Sequence, residues 1–117
     1  MALIRIKRAY DPPESADGTR VLVDRLWPRG RAKADAQVDV WAKDAAPSNE
    51  LRRWFAHDVA RWPEFRERYR AELANNPGLI ELRRMATQAT TLTLLFAAKD
   101  TEHNNAVVLR DVLRETD

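Results

Sequence analysis

Two short strings hold the side chains best suited to chemistry, and each closes a run of apolar residues. Val21-Leu22-Val23 leads into Asp24-Arg25, and Leu94-Leu95-Phe96-Ala97-Ala98 leads into Lys99-Asp100. Trp27 and Arg29 follow the first string, and Thr101-Glu102-His103-Asn104-Asn105 follows the second. Guanidinium forks match phosphate oxygens, so Arg25 and Arg29, with Lys99, are candidate ligands for an anion. Trp27 is placed to pack on such a ligand, and Asn104 to hydrogen-bond it. Asp24, Asp100 and His103 are the candidate acid–base groups, provided that their pKa values fall near working pH. Each residue also has a structural reading. An Asp–Arg pair at a strand end can be an ion-paired corner, and Lys99-Asp100 can simply start a turn. Asp100 or Thr101 can cap a helix, and Trp27 can cover the end of a core.

Other groups offer less. His57 precedes Asp58 at an expected helix end, where an imidazolium interacts well with the helix dipole. The two histidines are far apart in sequence and form no His-x-x-x-His pattern, so no metal site is expected. Ser48 lacks a Gly-x-Ser-x-Gly elbow and reads as a helix cap. The absence of cysteine excludes a thiolate nucleophile, a disulfide framework and Cys-based zinc or iron–sulfur sites. Three scattered glycines cannot form a phosphate-cradling loop, and no dinucleotide fingerprint is present. The sequence leaves any cofactor unknown.

The two strings share an edge only if buried strands deliver them there. In open α/β sheets, ligands bind beyond the carboxyl ends of the strands. Leu3–Lys7 alternates weakly and reads as a strand. Arg20–Leu26 starts with three branched apolar residues and reads as a strand buried on both faces. Val38–Trp41 is a shorter strand, and residues 90–98 form the clearest one. Helices are expected from Asn49 to about His57, from Pro63, from about Pro77, and from about Glu102 to Arg114. Trp54 and Trp62 fall on apolar helix stripes and read as core. The expected class is α/β, a single domain over residues 1–117. Its small mixed central sheet has about four strands with helices packed on it, in the order β-β-β-α-α-α-β-α.

Composition narrows the class further. At 117 residues, 44% hydrophobic and 32% charged, the chain has an ordinary globular composition. No apolar run is long enough to span a membrane, and the first residues place charge after apolar side chains, unlike a secretory leader. A cytoplasmic protein is expected. The net charge of +2 is unevenly distributed. Residues 1–33 hold eight basic and four acidic side chains, so this third could attract an anion.

Several strings together resemble a known family. They are Arg20-Val21-Leu22-Val23-Asp24-Arg25-Leu26-Trp27-Pro28-Arg29-Gly30, the Trp41–Ser48 and Leu51–Asp58 blocks, Trp62–Phe65, Tyr69–Leu73, and Leu94–Asp100 with His103-Asn104. The pattern resembles the YeaO-like family of bacterial proteins, within a larger group of unknown function, and spans nearly the whole chain. The resemblance implies a small cytoplasmic α/β protein and supplies no catalytic residue. More distant members of the group commonly place a Cys-His-Arg string after the last strand. This chain has His103-Asn104-Asn105 there, which excludes thiol chemistry.

The leading expectation is a binding protein or enzyme for a small anion, phosphate-bearing or nucleotide-like, sited at the strand C-terminal ends. The alternatives are a nucleic-acid-binding module that uses the basic N-terminal third, and a non-catalytic interaction protein.

Overall fold

The computed structural model describes residues 2–115. Its strands are β1 (Leu3–Arg8), β2 (Thr19–Leu22), β3 (Val40–Trp41) and β4 (Thr91–Phe96). Its helices are α1 (Lys33–Ala36), α2 (Asn49–Phe55), α3 (Trp62–Leu73), α4 (Pro77–Gln88) and α5 (Asn105–Arg114). The expected α/β class, four strands and helix-on-sheet layering are all present. The short α1 between β2 and β3 is an addition.

The strand order is β1-β4-β2-β3, and all three ladders are parallel. The sheet expected to be mixed is therefore parallel throughout. No tight hairpin joins any two strands; every connection crosses a face before the chain re-enters the sheet, as parallel pairing requires. The register sets Arg8 opposite Phe96 and Leu22 opposite Leu95, so β1, β4 and β2 end nearly level. This is the condition under which the two chemical strings could approach one another.

The two faces of the sheet differ. Ile4, Val21, Val23, Leu92, Leu94 and Phe96 share one apolar core with Phe65 and Tyr69 of α3, Leu82 of α4, and Leu109 and Val112 of α5. The period-2 alternation of strands sends the neighbouring residues to the opposite face. There, among the described residues, Ala9, Leu22 and Leu95 form a small apolar cluster, with Trp27 and Val38 packed on it.

Beside that cluster lies an ion network. Asp17 is fully buried, and its Oδ2 lies 2.5 Å from Arg20 Nη1 and 3.1 Å from Lys7 Nζ. The Glu14 N–H also donates to it, at 3.0 Å. Arg20 also donates to the carbonyls of Ala36 (2.7 Å) and Gln37 (3.0 Å). Gly18 holds the Asp17 turn against β4. Its φ is +62°, and a Cβ there would lie 2.5 Å from the Thr91 carbonyl oxygen.

A second close approach positions residues 43–47. A Cβ on Gly78, at the start of α4, would sit 2.5 Å from the Ala45 nitrogen. The absence of a side chain lets the helix press on this turn. Tyr69 O–H donates to the Ala45 carbonyl, and Asn76 Nδ2 donates to that of Asp44. Ser48 then caps α2 as expected, accepting the Leu51 N–H at 3.1 Å, and is itself tied to Glu72. The helix ends sharply because Ala56 (φ 46°) and His57 (φ 58°) both adopt the left-handed conformation.

Candidate functional site

Beyond Leu22 the chain stays close to the sheet for two more residues. The Val23 N–H donates to Leu95, and Asp24 then stands at the C-terminal edge. Its Oδ2 accepts the Ala97 N–H at 2.9 Å, and its Oδ1 accepts Asn105 Nδ2 at 3.0 Å. The same Asn105 amide donates to the Val23 carbonyl, and Trp41 Nε1 donates to the Asp24 carbonyl. Asp24 thus joins the ends of β2 and β4 to β3 and to the start of α5. Burial pushes its carboxyl pKa up. The bonds from Asn105 and Ala97, and the nearby His57 and Arg52, oppose this, and the balance lies above the usual 3.8.

Asp24 lines a cleft of about 620 Å³ at this edge of the sheet. It is the only carboxylate in the lining among the described residues. Around it stand Arg25, Arg29, Arg52 and Arg53, together with His57. None of the four arginines forms an ion pair among the described residues. Arg25 is positioned by carbonyls instead. Its Nε donates to Pro47 (3.1 Å) and its Nη2 to Ala46 (3.4 Å), the end of the turn that Gly78 and Tyr69 hold in place. Carbonyl acceptors fix the guanidinium without cancelling its charge. Trp27 also lines the cleft. Its Nε1 donates to the Arg31 carbonyl at 2.6 Å, and its ring meets Trp41 edge-on. Phe55, Phe65 and Tyr10 complete the apolar wall.

The second string is placed differently. Asn104 lines the cleft, but its amide is committed. Oδ1 caps α5 through the Val107 N–H, and Nδ2 donates to the Asp100 carbonyl. Asn104, not Asp100 or Thr101, is therefore the cap of α5, which begins at Asn105. Lys99, Asp100 and His103 are not part of the cleft lining. Asp100 accepts the N–H groups of Glu102 and His103, and its Oδ2 lies 2.9 Å from His103 Nδ1. The His103 ring meets Trp62 edge-on. The bonds from Glu102 and His103 hold the Asp100 carboxyl below its usual range. The structure thus brings Asp24, Arg25, Trp27, Arg29 and Asn104 together, and leaves Lys99, Asp100 and His103 on an adjacent turn.

The basic N-terminal third also resolves into separate duties. Lys7 and Arg20 neutralise Asp17. Arg8 donates to the carbonyls of Ala97 and Ala98, and Arg31 to those of Ala9 and Asp35. Among the described residues, no helix is long and apolar enough to cross a membrane, and no cluster of three or more acidic, histidine or cysteine side chains could hold a metal ion.

Comparison with known proteins adds the family. The family model described as the inactive DUF488-N3 subclade matches residues 3–116. The chain belongs to the inactive DUF488-N3 subclade. It is 50% identical over 113 residues to the uncharacterised protein YeaO of Escherichia coli (strain K12), covering 95% of this chain and 96% of that one. Uncharacterised proteins of Mycobacterium bovis and Mycobacterium tuberculosis are each 42% identical over 110 residues, covering 94% of this chain and 92% of theirs. No solved structure matches.

In this member of the inactive DUF488-N3 subclade, the sequence did not single out Arg52, Arg53 or Asn105, and His57 read as a structural helix-end residue. Arg52 and Arg53 sit in the last turn of α2, where cations favour the helix dipole, a structural position that does not single them out. The signal available for His57 was its position after Phe55-Ala56, where the apolar stripe of α2 stops. Two consecutive left-handed residues without glycine form a strained turn, and such turns gather at binding sites.

Proposed function

We propose that this protein binds a small anion, phosphate-bearing or nucleotide-like, in the cleft at the strand C-terminal ends, and does not turn it over. The observation that carries this reading is the charge of the cleft: four arginines with no ion-pair partner among the described residues surround a single carboxylate. A cleft of about 620 Å³ lies within the range of roughly 300–1,000 Å³ usual for small-molecule sites. Binding without turnover accords with the word inactive in the family description. It accords also with the commitment of the Asn104 amide to structural hydrogen bonds, and with the position of His103 outside the cleft. The expected cytoplasmic location belongs to the same proposal.

The alternative nucleic-acid reading draws on the basic N-terminal third, whose Lys7, Arg8, Arg20 and Arg31 are occupied internally. That leaves little of a continuous basic face. Calorimetry with pyrophosphate and with adenosine 5′-monophosphate tests the proposal. Binding should weaken roughly ten- to a hundredfold in Arg25→Ala, the usual scale for one charge-assisted hydrogen bond. Failure of both probes to bind, or full affinity in Arg25→Ala and Arg52→Ala alike, overturns it.

A further inference from the structure

A cleft built only to hold phosphate has no use for a carboxylate in its lining. Asp24 repels an anion, and burial disfavours its charge. It nevertheless stands among the four arginines, as the only acid in the lining among the described residues. Its bonds tie the strand ends together, and they do not fill its hydrogen-bonding capacity. A carboxylate offers about four lone-pair positions, two on each oxygen. Asp24 uses one on Oδ2 for the Ala97 N–H and one on Oδ1 for Asn105 Nδ2. One position on each oxygen is left, on a side chain that lines the cleft.

Two adjacent acceptors side by side match two adjacent hydroxyl donors. We infer that Asp24 accepts the vicinal hydroxyls of a ribose, so that the ligand is a ribonucleotide and not a deoxyribonucleotide or a simple phosphate. Arg25 and its neighbours take the phosphate, and Asp24 takes the sugar. A carboxylate beyond a strand end plays this part in dinucleotide-binding α/β sheets, where it reads the ribose hydroxyl for the same physical reason. Only a donor can satisfy Asp24 here, so a sugar lacking one hydroxyl leaves a half-buried carboxylate oxygen short of a partner. Sites built to hydrogen-bond a hydroxyl reject analogues that lack it. Asn105 holds the carboxylate in orientation by bridging it to the Val23 carbonyl.

This inference rests on the anion-binding reading, and one titration series separates the two. The probes are pyrophosphate, adenosine 5′-monophosphate and its 2′-deoxy analogue, titrated into the full chain. The expected result is binding of all three, with the deoxy analogue about tenfold or more weaker than the ribonucleotide. In Asp24→Asn the ribo-to-deoxy ratio should fall towards one while pyrophosphate binding persists. Equal affinity for the two nucleotides in the unaltered protein overturns the ribose assignment and leaves the anion site standing. Full discrimination retained in Asp24→Asn also overturns it. Failure of all three probes to bind overturns both readings. The comparison in the unaltered protein decides the matter even if Asp24→Asn does not fold.

Discussion

Two aspartates flank β2, seven positions apart, and their surroundings are opposite. Asp17 precedes the strand and is fully buried. Its burial penalty is outweighed by the Glu14 N–H, Lys7 and Arg20, so its carboxyl sits below the usual 3.8. Asp24 follows the strand and receives only amide donors, so burial wins and its carboxyl sits above that value. The cations that could have paired with Asp24 are instead left unpaired around an open cleft. Where charge serves the fold, it is cancelled inside the protein; where it faces the cleft, it is kept available. The comparison separates the basic residues of the N-terminal third more sharply than their number does.

The largest effect should come from breaking the Asp17 network. Asp17→Ala leaves the buried Arg20 guanidinium with carbonyl acceptors alone and Lys7 with only Glu14, and should cost about 3–5 kcal/mol, measured by urea unfolding. The pH dependence follows from the same network. The Asp17 carboxyl is depressed in the folded state, so its contribution is complete above 3.8 and is lost as pH falls through the lower folded value. Asp24 has the reverse sign. Between 3.8 and its raised folded value the native state holds the extra proton, so its contribution weakens as pH rises through that value. Acid titration of Asp17→Asn and Asp24→Asn against the unaltered protein should therefore displace stability in opposite directions.

Asp24→Ala should be milder, about 1–2 kcal/mol. It leaves the Ala97 N–H and Asn105 amide unpaired, but removes a charge whose burial was unfavourable. An Asp24→Ala loss equal to that of Asp17→Ala would erase the distinction between the two ends of β2. The smallest effect should come from Lys99→Ala, an exposed cation outside the cleft, with stability within about 0.5 kcal/mol of the unaltered protein. Nucleotide affinity should change less than twofold, and a larger loss would extend the binding surface past β4.

The two chemical strings also show how far pattern reading reaches. Both follow apolar runs, and the runs are indeed neighbouring parallel strands that end level, β2 and β4. That much was legible because burial on both faces leaves a continuous apolar signature. The paths beyond the strand ends were not legible. After Val23 the chain places Asp24 and Arg25 at the edge. After Ala98 it folds back on itself, because Asp100 collects two N–H groups and Asn104 caps α5. Such local side-chain-to-backbone bonds compete with the simple extension of a strand, and several residues in 99–105 could have formed them. Strand direction was equally hidden, since a buried strand reads the same in mixed and parallel sheets. Arg52 and Arg53 were missed because α2 is amphipathic whichever way its polar side faces. Only the tertiary turn at Ala56-His57 makes that side a cleft wall.

The strand order has a consequence for how the chain folds as it is synthesised. β4, near the end of the chain, lies between β1 and β2, near its beginning. Until the ribosome has released residues 91–96, β1 has no neighbour to pair with, and the N-terminal strands can form only the short β2–β3 ladder, Val21 with Val40 and Leu22 with Trp41. The Ala97 and Asn105 donors for Asp24 emerge later still. Half-made chains must therefore wait with Val21-Leu22-Val23 exposed, which favours association with other chains. The cleft is among the last parts of the molecule to exist, and a truncation before residue 97 should remove fold and site in one step.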